Sequence, residues 1–303
     1  MRLAKIDAAL AQRLVREQFP AISAVTVTYL NEGCDSVAFE VDERLVFRFP
    51  KRADVEAQMA TERAVLEALA SAGPPVAIPM IRFHGRPTTA FPFQFAGYSK
   101  IPGIPAIRSA LSDTEVLRIA PVVGRFLHWL HAMPLQAIAP AVVDAQEMGA
   151  FLDARRQEAL VEFPKVAITS PDAPLERWRS WIEMADLADD GQDLPMVLLH
   201  NDFAAEHVLI EPATQRVTGV IDWSDVAIGD RATDFAGISH WGGERLMAAV
   251  LDAYYGPIDV GLHQRARFMA ACRGVLDVSF GVEHHRPEYI DAGLRALTLN
   301  AGA

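Results

Sequence analysis

Between Met196 and Phe235 the chain reads MVLLHNDFAAEHVLIEPATQRVTGVIDWSDVAIGDRATDF, a stretch dense in residues that can do chemistry. An apolar run, Val197-Leu198-Leu199, delivers His200-Asn201-Asp202 at its end. His207 follows Asp202 by five positions and Asp222 follows it by twenty. Val208-Leu209-Ile210 has the length and β-branched content of a short buried strand. A polar turn, Glu211 to Arg216, leads into a second strand, Val217 to Ile221, that stops at Asp222. This order of strand, polar loop, hairpin and acidic residue brings Asp202, His207 and Asp222 together without help from any distant part of the chain.

Three readings of that cluster stand side by side. In phosphoryl transfer, one carboxylate takes or orients the proton of an attacking hydroxyl while two further ligands hold Mg²⁺ on the nucleotide phosphates. A hydrolytic metal site has use for the same ligand types. Asp and Asn also punctuate strand ends with no function at all. The spacing favours the first: H-x-D, five positions to a metal-ligand type, then a hairpin ending in Asp follows the kinase order of H-R-D-x-x-x-x-N and D-F-G. The metallohydrolase reading ranks last, since it leaves the first hundred residues unexplained.

On His200-Asn201-Asp202-Phe203 and Glu206-His207 the chain resembles the aminoglycoside phosphotransferase family, small-molecule relatives of the protein kinases, and is most similar to the 2″-phosphotransferase branch. Macrolide phosphotransferases also carry a His at the position of His207. The resemblance implies Asp202 as the catalytic carboxylate and His207 and Asp222 as Mg²⁺ ligands. Mg²⁺ prefers hard oxygen donors, so His207 acts directly or through a water. Ile228-Gly229-Asp230 and Thr233-Asp234-Phe235 fit the family's tail, in which Asp234 braces the catalytic loop. The implied fold is α+β and protein-kinase-like: an antiparallel-sheet N-terminal lobe, residues 1–100, a mainly helical C-terminal lobe, residues 101–303, and nucleotide at the cleft.

The elements that must position these groups follow in chain order. A helix is expected over Asp7 to Gln18, then strands over Val25 to Leu30, Val37 to Val41 and Leu45 to Phe49. The turn from Asn31 through Cys34 to Ser36 resembles the family's nucleotide-positioning loop, with backbone amides and the Ser36 hydroxyl toward phosphates. Arg48 stands on the third strand where the 2″-branch carries Lys, and Lys51 is a lower-ranked rival. Arg and Lys are not interchangeable at a phosphate, because the guanidinium binds as a fork. Asp54 to Ala72 has a helical period, and Glu62 is the implied partner of Arg48; taken alone, it reads as a solvated helix face. A fourth strand is expected from Pro79 to Phe83 and a further extended run from Phe93 to Ile101. Phe95 to Gly103 resembles the crossing between lobes that hydrogen-bonds the nucleobase, which implicates Tyr98, Ser99 and Ile101. A bulky Tyr98 at the base pocket obstructs adenine more than guanine, hence an expectation of GTP use, alone or beside ATP.

Beyond this point the pattern is helical: Val116 to Ala132, Met148 to Phe163, Leu175 to Ala188, Glu244 to Tyr255, Leu262 to Phe280 and Pro287 to Leu299. His128 and His131 read as packing or surface residues. A polycationic acceptor needs spaced carboxylates to offset its desolvation. Asp225, Asp230, Glu244, Asp277 and Glu283 are the candidates, with Trp241 or Tyr289 as apolar floor. Phe280 to Glu283 resembles the 2″-branch and puts Glu283 first among them.

Composition sets outer limits. Of 303 residues 51% are hydrophobic and 22% charged, enough for a substantial core and against global disorder. A formal charge of −11 argues against nucleic acid as the main partner. It suits a cationic substrate and is equally what an ordinary acidic protein carries. Cys34 and Cys272 are too few for a disulfide framework. Met1 to Phe19 reads as an amphipathic helix rather than a signal peptide, and no apolar run of about 18 residues suggests a membrane span. The expectation is a cytoplasmic monomer transferring the γ-phosphoryl group of GTP or ATP, with Mg²⁺, to an aminoglycoside hydroxyl. The alternatives are a macrolide or other metabolite as acceptor, and a catalytically silent nucleotide-binding protein.

Overall fold

The computed structural model describes residues 5–33, 35–109, 111–138, 148–187 and 195–301; Cys34 and Ala188 lie outside them. The chain forms two compact units, Met1–Pro102 with Trp223–Asp225, and Gly103–Asp222 with Val226–Ala303.

In the first unit, helix α1 (Ala8–Gln18) starts at Asp7, whose carboxylate accepts the Leu10 N–H at 2.7 Å. Strands β1 (Val27–Glu32), β2 (Ser36–Val41) and β3 (Leu45–Pro50) are followed by helix α2 (Ala53–Ser71), then β4 (Ile81–Gly85) and β5 (Phe95–Ser99). They make one sheet in the order β1-β2-β3-β5-β4, every neighbour antiparallel. Val37, Phe39 and Val41 alternate inward along β2 and pack with Phe47, Phe49, Phe91 and Phe95 under α1. Phe49 and Phe95 stack with ring centroids 4.6 Å apart. On β3, Arg48 lies opposite Ala38 on one side and Ala96 on the other. Directly opposed residues share a face of the sheet, so the two small neighbours leave lateral space for a guanidinium.

The second unit is mainly helical. It opens with β6 (Ile104–Pro105) and α3 (Asp113–His131), the latter begun by a capping box between Ser112 and Glu115. Then come α4 (Leu135–Ile138), α5 (Met148–Thr169) and α6 (Leu175–Met184), followed by β7 (Val197–Leu199), β8 (Val208–Glu211), β9 (Arg216–Val220) and β10 (Ala227–Gly229). Helices α7 (Ala232–Leu251), α8 (Leu262–His284) and α9 (Pro287–Asn300) complete it. β8 is flanked by β6 and β9, and β10 pairs with β7. Among the described residues no helix is long and apolar enough to cross a membrane.

Two helices depart most from the periodicity reading. α5 does not stop at Phe163 but runs through Pro164 to Thr169, because Leu152, Ala159, Phe163 and Val166 form one buried face against α8. Packing along that face outweighs the single backbone bond that proline forfeits. The helix expected from Glu244 is there, joined to an earlier helical stretch from Ala232 across a kink at Gly242 and Gly243, the latter at φ 60°. A non-glycine residue resists that dihedral, so the expected start falls just past the kink.

Candidate active site

β7 is three buried residues long and hands the chain directly to His200, Asn201 and Asp202. Asn201 sits at φ 65° and Asp222 at φ 64°, left-handed conformations that Asn and Asp tolerate better than most residues. What holds the first of these is Asp234, fully buried at the start of α7. Its Oδ2 accepts the His200 N–H at 3.0 Å and its Oδ1 accepts the Asn201 N–H at 2.8 Å. The role expected of Asp234 is thus visible as two hydrogen bonds to consecutive amides.

His131 carries the brace further. Its Nε2 lies 3.1 Å from Asp234 Oδ2 and its Nδ1 lies 3.0 Å from the Tyr254 hydroxyl, all buried. An Nε2–H tautomer satisfies both contacts, donating to the carboxylate and accepting from the phenol. The packing expected of His131 is present, edge-on to Phe235 and Tyr254, and the hydrogen bonds add to it through partners 103 and 123 residues away, out of reach of any local pattern. His128 does pack, edge-on against Tyr254 and Tyr255.

Asp202, His207 and Asp222 converge. His207 Nδ1 donates to the Asp202 carbonyl at 2.7 Å and lies 3.5 Å from Asp202 Oδ2, while its Nε2 lies 3.7 Å from Asp222 Oδ2. Burial pulls the His207 pKa down, but Asp202, Asp222 and Glu206 together outweigh it and leave it raised. Next to it His200 is driven the other way, by burial and then by the charge of His207, with Nε2 bonded to the Ile221 carbonyl at 3.0 Å. With Nδ1 committed to a carbonyl, Nε2 is the imidazole nitrogen left to face Asp222.

Two further residues belong here. Arg273 on α8 donates from Nη1 to Asp202 Oδ1 at 2.6 Å and from Nη2 to Glu206 Oε1. Burial alone would raise the Glu206 pKa, but Arg273 first, then His207 and His240, bring it to about 2. Arg273 responds in kind: burial lowers it, and Glu206 and Asp202 more than restore it, well above the ordinary arginine value. Glu206 was legible as part of the quoted motif; Arg273 sits inside a long helix with nothing in its spacing to mark it.

In the first unit Arg48 and Glu62 form a buried pair, Nη1 to Oε1 at 2.7 Å, with the Glu62 side chain 2% exposed. The solvated-face reading of Glu62 is therefore excluded. Lys51 is held by Glu32 at 2.5 Å and by the Gly33 carbonyl at 2.7 Å. Ser36 opens β2; on β5, Tyr98 is half-buried and Ser99 exposed, and Ile101 beyond it is buried.

The carboxylates considered for an acceptor are dispersed. Asp230 accepts the Ala232 N–H at 2.8 Å and is held by Arg265, which also clamps Asp259. Glu283 is bound by Lys165, which also reaches Glu162 and Ser279. Glu244 is exposed and lies 3.2 Å from His263. Asp277 is buried with its Oδ2 3.0 Å from His240 Nε2. Asp225 is exposed and accepts from the Ser224 hydroxyl at 3.3 Å.

A profile of the phosphotransferase enzyme family, APH, matches residues 26–268, from β1 into α8. The chain belongs to that family. Viomycin phosphotransferase of Streptomyces vinaceus is 33% identical over 132 residues, 36% of this chain and 45% of that protein. The matched region thus spans less than half the length of that curated relative. The GDP complex of wild-type aminoglycoside 2'-phosphotransferase-IIIa, 22% identical, covers 98% of this chain and 99% of its own with a TM-score of 0.74. The apoenzyme of macrolide 2'-phosphotransferase MphH from Brachybacterium faecium, 24% identical, covers 95% and 97% with a TM-score of 0.64. These two likenesses are likenesses of fold: a kinase-like antiparallel sheet followed by a helical region.

Proposed function

We propose that this family member transfers the γ-phosphoryl group of GTP or ATP to a hydroxyl of a small polycationic acceptor of the aminoglycoside class. The observation that carries the reading is the carboxylate of Asp202 on a loop held by Asp234, with His207 and Asp222 beside it. Asp202 accepts the hydrogen bond of the acceptor hydroxyl and takes its proton as the new oxygen–phosphorus bond forms. The bond from the γ-phosphorus to the bridging oxygen breaks, and a nucleoside diphosphate leaves. Arg48, fixed by Glu62, contacts the donor's phosphates, with the Ser36 hydroxyl in the same role. Tyr98, Ser99 and Ile101 face the base. GDP in one structural neighbour and the names of the relatives support a nucleotide donor and an antibiotic acceptor.

Asp222 would hold Mg²⁺, with His207 acting directly or through a water. Among the described residues no three His, Cys, Asp or Glu side chains form a metal cage by themselves. One or two carboxylates with substrate phosphates and waters are nonetheless the usual Mg²⁺ shell, so the Asp222 carboxylate fits. When bound, the ion neutralises charge on the phosphates.

The test is transfer from ATP and from GTP, each with Mg²⁺, to kanamycin, gentamicin and erythromycin, with product read by mass. A phosphorylated aminoglycoside is expected. Phosphorylated erythromycin alone would move the assignment to macrolides, and no product with any acceptor despite nucleotide binding would move it to another metabolite or to a silent binder. The ratio of ATP to GTP efficiency in Tyr98→Ala checks the base-pocket role: an unchanged ratio removes it.

A further inference from the structure

The strand registers of the first unit set a second row of side chains beside Arg48. Glu40 on β2 lies opposite Val46 on β3, and Val46 lies opposite Tyr98 on β5. Directly opposed residues share a face of the sheet, and alternate residues along a strand return to it. Glu40, Val46 and Tyr98 therefore stand on the face that carries Arg48, while Phe39, Phe47 and Phe49 point the other way, into the core under α1. The two rows are two residues apart, about 7 Å along the strands. With the donor's phosphates at Arg48 and its base at Tyr98, as proposed above, the donor runs along this face from one row to the next.

Lys100, immediately after β5, is tied down twice. Its N–H donates to the Arg44 carbonyl at 2.8 Å, and its ammonium donates to Glu40 Oε2 at 2.5 Å. The first bond orients a peptide: in a planar trans unit the C=O and N–H point opposite ways, so the Ser99 carbonyl is turned away from β3. The register of β5 with β4 ends at Tyr98, so that carbonyl also lies past the last strand pair on its other side. The second bond pins the residue between Ser99 and Ile101 to β2 through its side chain. With its side chains 33% and 14% exposed, the Lys100–Glu40 pair adds little to stability. Its effect is on where the segment sits.

We propose that Glu40 and Lys100 are positioning residues for the donor's nucleobase: their ion pair holds the segment from Ser99 to Ile101 so that its main-chain groups meet the hydrogen-bonding edge of the base. The inference rests on the nucleotide reading above and deepens it, because neither charged side chain has to touch the donor. Main-chain groups serve adenine and guanine alike. The pair therefore acts on both nucleotides, whereas Tyr98 acts on their ratio.

The experiment is calorimetry of the full chain with GDP and with ADP, each with Mg²⁺. Glu40→Gln and Lys100→Met should each weaken both nucleotides by about three- to fivefold, the scale of one partly exposed ion pair, at an unchanged melting temperature. Lys100→Arg keeps a cation for Glu40 and should retain more affinity than Lys100→Met. Reversing the pair, Glu40→Lys with Lys100→Glu, should recover most of the loss. Loss for one nucleotide only, or loss with no recovery in the reversed pair, overturns the positioning role. The two readings fail differently: a wild type that binds both nucleotides while the single variants match it sinks the pair alone, and a wild type that binds neither sinks the donor reading and the pair's role with it.

Discussion

Arg273 Nη1 donates to Asp202 Oδ1 at 2.6 Å, so the candidate base is held by a helix 71 residues further along the chain. The bond fixes one carboxylate oxygen and leaves Oδ2, 3.5 Å from His207 Nδ1, as the atom that can turn to an acceptor hydroxyl. The same guanidinium reaches Glu206, so one fork sets the distance between two carboxylates. A point charge on a flexible stem cannot do this.

Arg273→Lys should therefore keep most of the charge compensation and lose the geometry. Turnover is expected to fall by roughly 10- to 100-fold, the scale of a misplaced catalytic group, with nucleotide KM little changed. Arg273→Gln strands the buried Glu206 and should also lower stability by about 3–5 kcal/mol, as for one partner lost from a buried pair. Steady-state kinetics with denaturant melts on both variants separate the two effects. Equal turnover in Lys and wild type would show that charge alone suffices.

Asp202→Asn preserves shape and removes the proposed proton acceptor. General-base catalysis contributes about 10²- to 10⁴-fold, and transfer should drop by that amount while GDP affinity, read by calorimetry, holds. Loss of both would point to a folding defect, because Asp202 is a partner of Arg273.

The cluster of Asp202, His207 and Asp222 was legible because its members are local: a strand end and a hairpin end, twenty residues apart. The sheet was legible for the same reason, its alternating runs being joined by short turns. What supports the cluster was not. His131, Tyr254 and Arg273 reach it from helices whose apolar period is satisfied whether or not a polar residue on them has a distant partner. β10 was missed because Ala227–Gly229 is too short to carry a period and gains its strand character from pairing with β7. The carboxylates chosen by type for an acceptor show the converse limit. Asp230 and Glu283 have the right charge, but Arg265 and Lys165 already hold them.

In the first unit, Arg48→Ala and Glu62→Ala each break this largely buried ion pair and should each cost about 3–5 kcal/mol. The double variant should cost less than the sum, because the shared contact is lost only once. Additive melts would mean the pair contributes nothing beyond its members. If Arg48 also meets phosphate, Arg48→Lys should raise the nucleotide KM with the fold intact.

A pH effect is expected at the start of α3. Glu115 is pulled down to about 2 by the Ser112 hydroxyl, then the Ser112 N–H, then Gln215. A carboxylate whose folded pKa is depressed adds stability that is complete above its ordinary value and is lost as pH falls through the folded one. The loss therefore falls between about pH 4.5 and about pH 2. Glu115→Gln does not titrate, so its melting temperature should change less steeply across that window than that of the wild type. Parallel curves would remove Glu115 from the acid response.

The last prediction concerns a residue with no side chain. At Gly237 on α7, a Cβ would stand 1.4 Å from the Phe203 carbonyl oxygen and 2.6 Å from its carbon. The helix backbone thus lies directly on the loop that carries Asp202, and neither side can yield without moving a main chain. Gly237 is also on the helix that supplies Asp234, three residues earlier. An added methyl must push α7 away from the loop, lengthening the two bonds from Asp234 to the His200 and Asn201 amides. Overpacking of this kind costs about 1–3 kcal/mol, and Gly237→Ala should show that loss in a denaturant melt. Turnover should fall further than the stability loss explains, because the displaced loop is the one bearing Asp202, the proposed base. In the unstrained setting of an exposed helix the same change would stabilise, since alanine is the better helix former. A variant as stable and as active as the wild type would mean that α7 and the loop do not pack as described, and the brace by Asp234 would have to be reconsidered with it.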